Sequence, residues 1–304
     1  MIAQDVVNRA ARVNTVIPAF NIPYLPMMSA VVRAIIDEDT VAMIQVARLE
    51  WLKYKARSLE SVAEEYFKCC DTNHTLLHLD HVPVIDEDNL LVDVPPIVEQ
   101  AIKVGYQSVM IDASRLPLEE NISLTRYISD IAHDANVPVE AKLVAAIGAG
   151  SPGSRTGNDE LLSTSRGVTD IAEAKLFTSE SKCDWLSVEV GGAHGAKVDS
   201  LTKRKKPRIR LDIDHIALLR KAIGGVPMSL HDGFGIDQAH IRGAVKNGIA
   251  KISISTEIRK QYEFALEERP DDVAYAQEKV HERTRWVIRE FLQTTGNRSE
   301  LFSN

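Results

Sequence analysis

The chain has 304 residues, with 36 basic and 43 acidic side chains, a net charge of −7, and 44% hydrophobic against 26% charged residues. This is ordinary soluble globular composition, and its acidic balance excludes a general nucleic-acid binder, whose footprint is a basic field. No apolar run reaches the roughly 18 residues of a membrane helix, and the N-terminus MIAQDVVNRAARVN has no apolar signal core. Cys69, Cys70 and Cys183 are odd in number and lack zinc spacing, as expected of reduced thiols in a cytoplasmic protein.

Short β-type runs fall at 15–20 (TVIPAF), 41–46 (VAMIQV), 75–79 (TLLHL), 107–111 (QSVMI), 138–143 (PVEAKL), 184–190 (DWLSVEV), 226–230 (VPMSL) and 250–254 (AKISI). Their apolar positions are near-continuous, as in parallel strands covered on both faces. Helical patterns lie between them at 27–37, 59–70, 94–103, 119–135, 169–180, 212–223 and 236–246. The alternation predicts an α/β fold, a (β/α)8 TIM barrel. An open doubly wound sheet would need a Gly-rich turn after the first strand, and PAFNIPYLP is not one. The whole chain, 1–304, reads as one domain: a barrel over about 15–256 and a helical extension over about 257–304 with a break near Pro270.

Two stretches interrupt the rhythm. Residues 148–168 are rich in Gly and Ser, in the manner of a lid or insert after the fifth strand. Residues 203–210 (KRKKPRIR) carry six basic side chains, either a solvated loop or a rim that attracts anions. Both follow strand C-termini, the end where barrel active sites are built.

Three of the nine histidines, His81, His194 and His231, follow the third, sixth and seventh strands. In a barrel those positions converge, and three imidazoles with an open coordination position suit a catalytic divalent metal, zinc above all. In LHLDHV, residues 77–82, His78 and Asp80 share one strand face while His81 opens the loop. Asp80 is then placed to act as acid or base, or to orient an imidazole. Asp112 and Glu140, in the fourth and fifth strands, are candidates for carboxylates behind the ligands. The glycines of GGAHGAK (191–197) and HDGFG (231–235) let backbone N–H groups approach an anion closely. Trp51, Trp185 and Trp286 read as packing residues, and Glu189 as either a mouth residue or an interior ion partner.

The order AFN at 19–21, LHLDH at 77–81, SVMIDAS at 108–114, VEAKL at 139–143, HG at 194–195, HDGFGI at 231–236 and KISISTEIR at 251–259 resembles the class II fructose-bisphosphate aldolases, strand by strand over roughly 15 to 265. The resemblance implies a (β/α)8 barrel and a zinc ion held by His81, His194 and His231. It implies that Asp80 is the acid/base on the aldehyde side of a carbon–carbon bond whose cleavage leaves a metal-stabilised enediolate. It implies substrate contacts from Asn21, Gly195, Asp232 and Gly233, and from Ser253, Ser255, Thr256 and Arg259 on the last strand and helix. Lys197 would lie near these. Asp159 and Glu160 are candidates for the family's mobile proton-abstracting carboxylate.

The departures from the family pattern are specific. Lys142 replaces a carboxylate near the metal, and Asp232 and Phe234 replace a Gly and a Ser that bind phosphate. Ala47 replaces a serine that also helps with phosphate, Ser253 an asparagine, and Ser255 an aspartate. Glu257 falls on the family's acidic position, and Arg259 matches an arginine that reaches a phosphate, across a subunit boundary in some members. Either the substrate differs from the usual bisphosphate, or Lys142 and Asp232 pair and relocate the anion site. Three functions remain open: a metal-dependent aldolase-type lyase acting on a ketose or ketose phosphate, a metal-dependent sugar or sugar-acid epimerase or isomerase, and a non-catalytic aldolase-like subunit. The C-terminal helices and Arg259 point to a homo-oligomer, a dimer or tetramer.

Overall fold

The computed structural model describes residues 1–143, 168–191, 210–231 and 235–302. His194, Gly195, Lys197, Asp159, Glu160, Asp232, Gly233 and Phe234, and the basic run 203–209, lie outside them.

Helix α1 (Ala3–Val13) precedes the first strand, β1 (Ile17–Asn21). There follow α2 (Met28–Asp37), β2 (Ala42–Ala47), the short α3 (Arg48–Lys53), α4 (Leu59–Cys69) and β3 (Thr75–Pro83). Next come α5 (Val94–Lys103), β4 (Ser108–Asp112), α6 (Leu118–Asp134), β5 (Val139–Lys142), α7 (Ile171–Ser181) and β6 (Trp185–Ser187). The last units of the barrel are α8 (Ile213–Ala222), β7 (Met228–Leu230), α9 (Gln238–Lys246) and β8 (Ile249–Ile254). The strands are parallel and close in sequence order, with Ile17 paired to Lys251 across the β1–β8 seam. This is a (β/α)8 barrel.

The helices start where side-chain oxygens can take up their free N–H groups. Ser58, Asp170, Asp212 and Asp237 each accept such a bond at the start of α4, α7, α8 and α9. The helices at 169 and 236 therefore begin two residues later than the apolar pattern predicts. Residues 188–190 also read as strand, yet they leave β6. Glu189 O and Val190 O accept from Thr169 N and Asp212 N, in the segments leading into α7 and α8.

The period-two alternation of strands sorts the barrel by depth. Phe20, Ile44, Leu77, Leu79, Ile111 and Ile252 are buried in the core shared with the surrounding helices. Inside, Ile17, Ala19, Met43, Leu76 and Trp185 form an apolar floor. Helix α1 buries Ala3, Val6, Val7 and Ala10 against that floor. Higher up the interior turns polar, with Gln45, His78, Glu140, Ser229 and Lys251 all fully buried.

Beyond β8 run α10 (Thr256–Glu268) and α11 (Val273–Trp286), a π-helical turn at Val287–Leu292, and α12 (Asn297–Phe302). The carboxylate of Glu38, at the end of α2, anchors this tail. It accepts from Arg285 Nε at 2.7 Å, Arg289 Nη2 at 2.8 Å and Thr295 Oγ1 at 3.0 Å. Trp185 is core as expected. Trp286 is not: it is 39% exposed, stacked on Phe291 under the Arg283 guanidinium. Among the described residues no helix is long and apolar enough to cross a membrane.

Candidate active site

Strand β3 supplies the first part of the site. Alternation carries Leu76, His78 and Asp80 along its inner face and would turn His81 outward. A register shift against β4 between Leu79 and Val82, with φ of 20° at His81, breaks the alternation there. An extra residue of this kind re-aims a side chain, and His81 joins Asp80 at the mouth. The sequence expectation that His81 opens a loop is thus replaced by a bulge within a longer strand.

His81 meets His231, which directly follows β7, with Nε2 and Nδ1 2.8 Å apart. Each ring is held from behind: His81 Nδ1 lies 3.1 Å from Asp112 Oδ2, and His231 Nε2 lies 2.8 Å from Glu140 Oε1. Burial disfavours charge on His81, but Asp80 and Asp112 outweigh it and raise its pKa. Burial and the charge of His81 push His231 down to about 4. The pair thus holds one proton in preference to two.

These contacts test the fit of a metal. In the singly charged state of the pair the shared proton lies between the facing nitrogens; with both rear N–H groups donated to Asp112 and Glu140, its loss bares two lone pairs for a cation to take its place. Asp80 Oδ1 is buried without a hydrogen bond among the described residues. Ligand atoms of Asp80, His81 and His231 all lie within 4.8 Å of one another. The donor set fits a divalent ion.

Beneath it, Glu140, a candidate carboxylate behind the ligands in the sequence, is a hub. It accepts from Ser229 Oγ at 2.6 Å, Trp185 Nε1 at 2.8 Å and Lys251 Nζ at 2.8 Å, besides the His231 contact. Lys251, missed in the sequence, also stands 3.9 Å from Asp80 Oδ1. Burial alone would raise the pKa of Asp80, but the charges of His81, Lys251 and His231 prevail and hold it well below the carboxylate range. The same contest, with Lys251 the chief opposing charge, keeps Glu140 ionised.

A cavity of about 330 Å³ opens above these groups. Asn21, Asp80, His81, Asp112, His231, Ser253, Ser255, Thr256 and Arg259 all line it, so these sequence candidates share one chamber. Lys142 is absent from that lining and is engaged by Glu189 at 3.2 Å. Glu257 ion-pairs with Arg283 of α11. Arg259 Nη1 lies 2.6 Å from Glu263 Oε1, with its guanidinium 5.2 Å from the Tyr54 ring centre. Glu50, Tyr54 and Glu87 also line the chamber and were not foreseen. No strand, helix or motif is read from the sequence at these positions, and nothing in their local pattern marks them.

The profile described as fructose-bisphosphate aldolase class-II matches residues 2–299. Among solved structures, the chain is similar to the YdjI aldolase from Escherichia coli K12, with 25% identity and a TM-score of 0.75 over 97% of this chain and 98% of that one. It shares its fold with fructose-bisphosphate aldolase (Fba) from Campylobacter jejuni, with 17% identity and a TM-score of 0.72 over 97% and 96%. Membership therefore rests on almost the full length of the sequence as well as on the barrel: the chain belongs to the class II fructose-bisphosphate aldolase family.

Proposed function

We propose that this chain is a metal-dependent lyase of the aldolase type, reversibly cleaving a ketose or ketose phosphate. The observation that carries this reading is the facing imidazole pair, backed by two carboxylates and flanked by the unbonded Oδ1 of Asp80. His81 and His231, with His194, would hold the ion, and imidazole ligation favours zinc. When bound, a divalent ion supplies a Lewis acid that stabilises negative charge on the oxygens of the carbonyl fragment.

The chain's own groups handle the proton and the orientation. Asp80 Oδ1 takes the proton from the hydroxyl that becomes the aldehyde, and returns it in condensation. Asn21 Nδ2, 3.0 Å from Asp80 Oδ2, fixes the carboxylate so that Oδ1 faces the substrate. Ser253, Ser255 and Thr256 offer hydroxyls to the sugar along one wall. We place the enzyme in carbohydrate metabolism in the cytoplasm, as a homo-oligomer of two or four chains.

The test pairs metal analysis with aldehyde release from fructose 1,6-bisphosphate and a panel of other ketoses, before and after chelation. Bound metal with chelator-sensitive release supports the reading. Asp80→Asn should lower the kcat of the metal-loaded enzyme by roughly 10²–10⁴-fold. Interconversion of sugar epimers without aldehyde release would favour an epimerase, for which Ser253 in place of the family asparagine is the motive. Failure to bind metal after reconstitution would sink both and leave a non-catalytic subunit.

A further inference from the structure

One buried carboxyl group on the cavity wall has no part in the chemistry above. Glu50, in the third position of α3, is 5% exposed and lines the cavity. Its Oε2 accepts from Ala47 N at 2.8 Å and from Asn21 Nδ2 at 3.2 Å. The second amide hydrogen of Asn21 goes to Asp80, and Asn21 Oδ1 accepts from Gln45 Nε2 at 2.7 Å. Asn21 is therefore fully committed, locked between two carboxyl groups with its orientation fixed by Gln45. Both N–H donors meet Oε2 of Glu50, and no described group bonds Oε1.

We propose that Glu50 is the specificity-determining residue on the aldehyde side of the cavity, and that it selects an aldehyde fragment carrying an uncharged hydroxyl there in preference to a phosphate. The inference rests on the reading of Asp80 as the base on that side, because Asn21 ties Glu50 to Asp80. Three observations carry it. The backbone N–H of Ala47, which an anionic ligand could otherwise use, is already taken by Glu50 itself. The described lining holds four carboxyl groups, Glu50, Asp80, Glu87 and Asp112, against one guanidinium and the proton-sharing pair of His81 and His231. That guanidinium, on Arg259, is engaged by Glu263.

The protonation chemistry agrees. Burial pushes the Glu50 carboxyl up to about 8, against the opposing bonds from Ala47 and Asn21. With Oε2 occupied as an acceptor, the proton resides on Oε1. A hydroxyl both donates and accepts, so it suits Oε1 in either state. A phosphate dianion only accepts: the neutral carboxyl offers it one donor, while the ionised form, populated as pH rises through about 8, repels it, so discrimination against the ester should grow with pH.

The decisive measurement uses the metal-loaded full chain in condensation, with dihydroxyacetone or dihydroxyacetone phosphate as donor. The readout is the ratio of kcat/KM for glyceraldehyde to that for glyceraldehyde 3-phosphate, a ratio in which any loss of folded enzyme cancels. Wild type should favour glyceraldehyde. Glu50→Ala should move the ratio toward the phosphate ester by about tenfold or more, and Glu50→Gln, which preserves the acceptor for Ala47 and Asn21, by less. A wild-type preference for the phosphate ester, or ratios within about twofold of wild type in both variants, would overturn the proposal. Exchange of donor protons in D2O by wild type tests the aldolase reading separately. Should exchange be absent, titration of glycerol 3-phosphate against the folded wild type and Glu50→Ala still decides: tighter binding by the variant is expected, and equal binding overturns the role of Glu50.

Discussion

Asp112, at the end of β4, and Glu140, on the adjacent β5, hold His81 and His231 from behind at 3.1 and 2.8 Å, so that the two rings converge on one point. The grip fixes which nitrogen of each ring is bare. Partners of this kind are typically worth 10–100-fold in metal affinity.

Asp112→Asn should therefore weaken metal binding by roughly 10–100-fold, read by competition with a chromogenic chelator. Asp112 is the better probe of the two because Glu140 also supports the core. Unchanged affinity in a folded Asp112→Asn protein would count against these histidines as ligands.

Lys251 and Glu140 are both fully buried and 2.8 Å apart. Removing one partner leaves the other charge uncompensated, which costs roughly 3–5 kcal/mol. Lys251→Met should lower stability by that order in urea denaturation. Lys251→Met with Glu140→Gln should recover part of the loss. A single variant within about 1 kcal/mol of wild type would show that Glu140 is stabilised by its other partners alone.

Glu38 gives a pH signature. Burial opposes its ionisation, but hydrogen bonds from Arg285, Arg289 and Thr295 prevail and lower its pKa. A depressed carboxylate contributes stability that is fully present above the unfolded value of about 4.3 and is lost as pH falls through the lower folded value. Glu38→Gln should cost roughly 1.5–3 kcal/mol at neutral pH. The gap to wild type should narrow in acid below about pH 4. A gap that stays constant across that range would mean that the charge contributes nothing.

The barrel was legible because strands buried on both faces leave continuous apolar runs, and runs such as 107–111 and 250–254 lie within a residue of β4 and β8. The extra residue at His81 was not, since a bulge depends on the register of a neighbouring strand. Helix α1 could have been found: Ala3, Val6, Val7 and Ala10 repeat at helical spacing. Glu50 could not. Its segment, ARLEWLKYK, has no sustained period, and its role comes from Asn21, twenty-nine residues away. Lys251 was hidden for a related reason, because a lysine in a strand reads as solvent-facing until its carboxylate partner is seen.

Helix α1 pressed against the apolar floor makes the barrel a cup with a single rim. Reactants and products must share that rim, so whatever binds deepest enters first and leaves last. For the proposed cleavage, the fragment seated deeper in the cup would leave after the other.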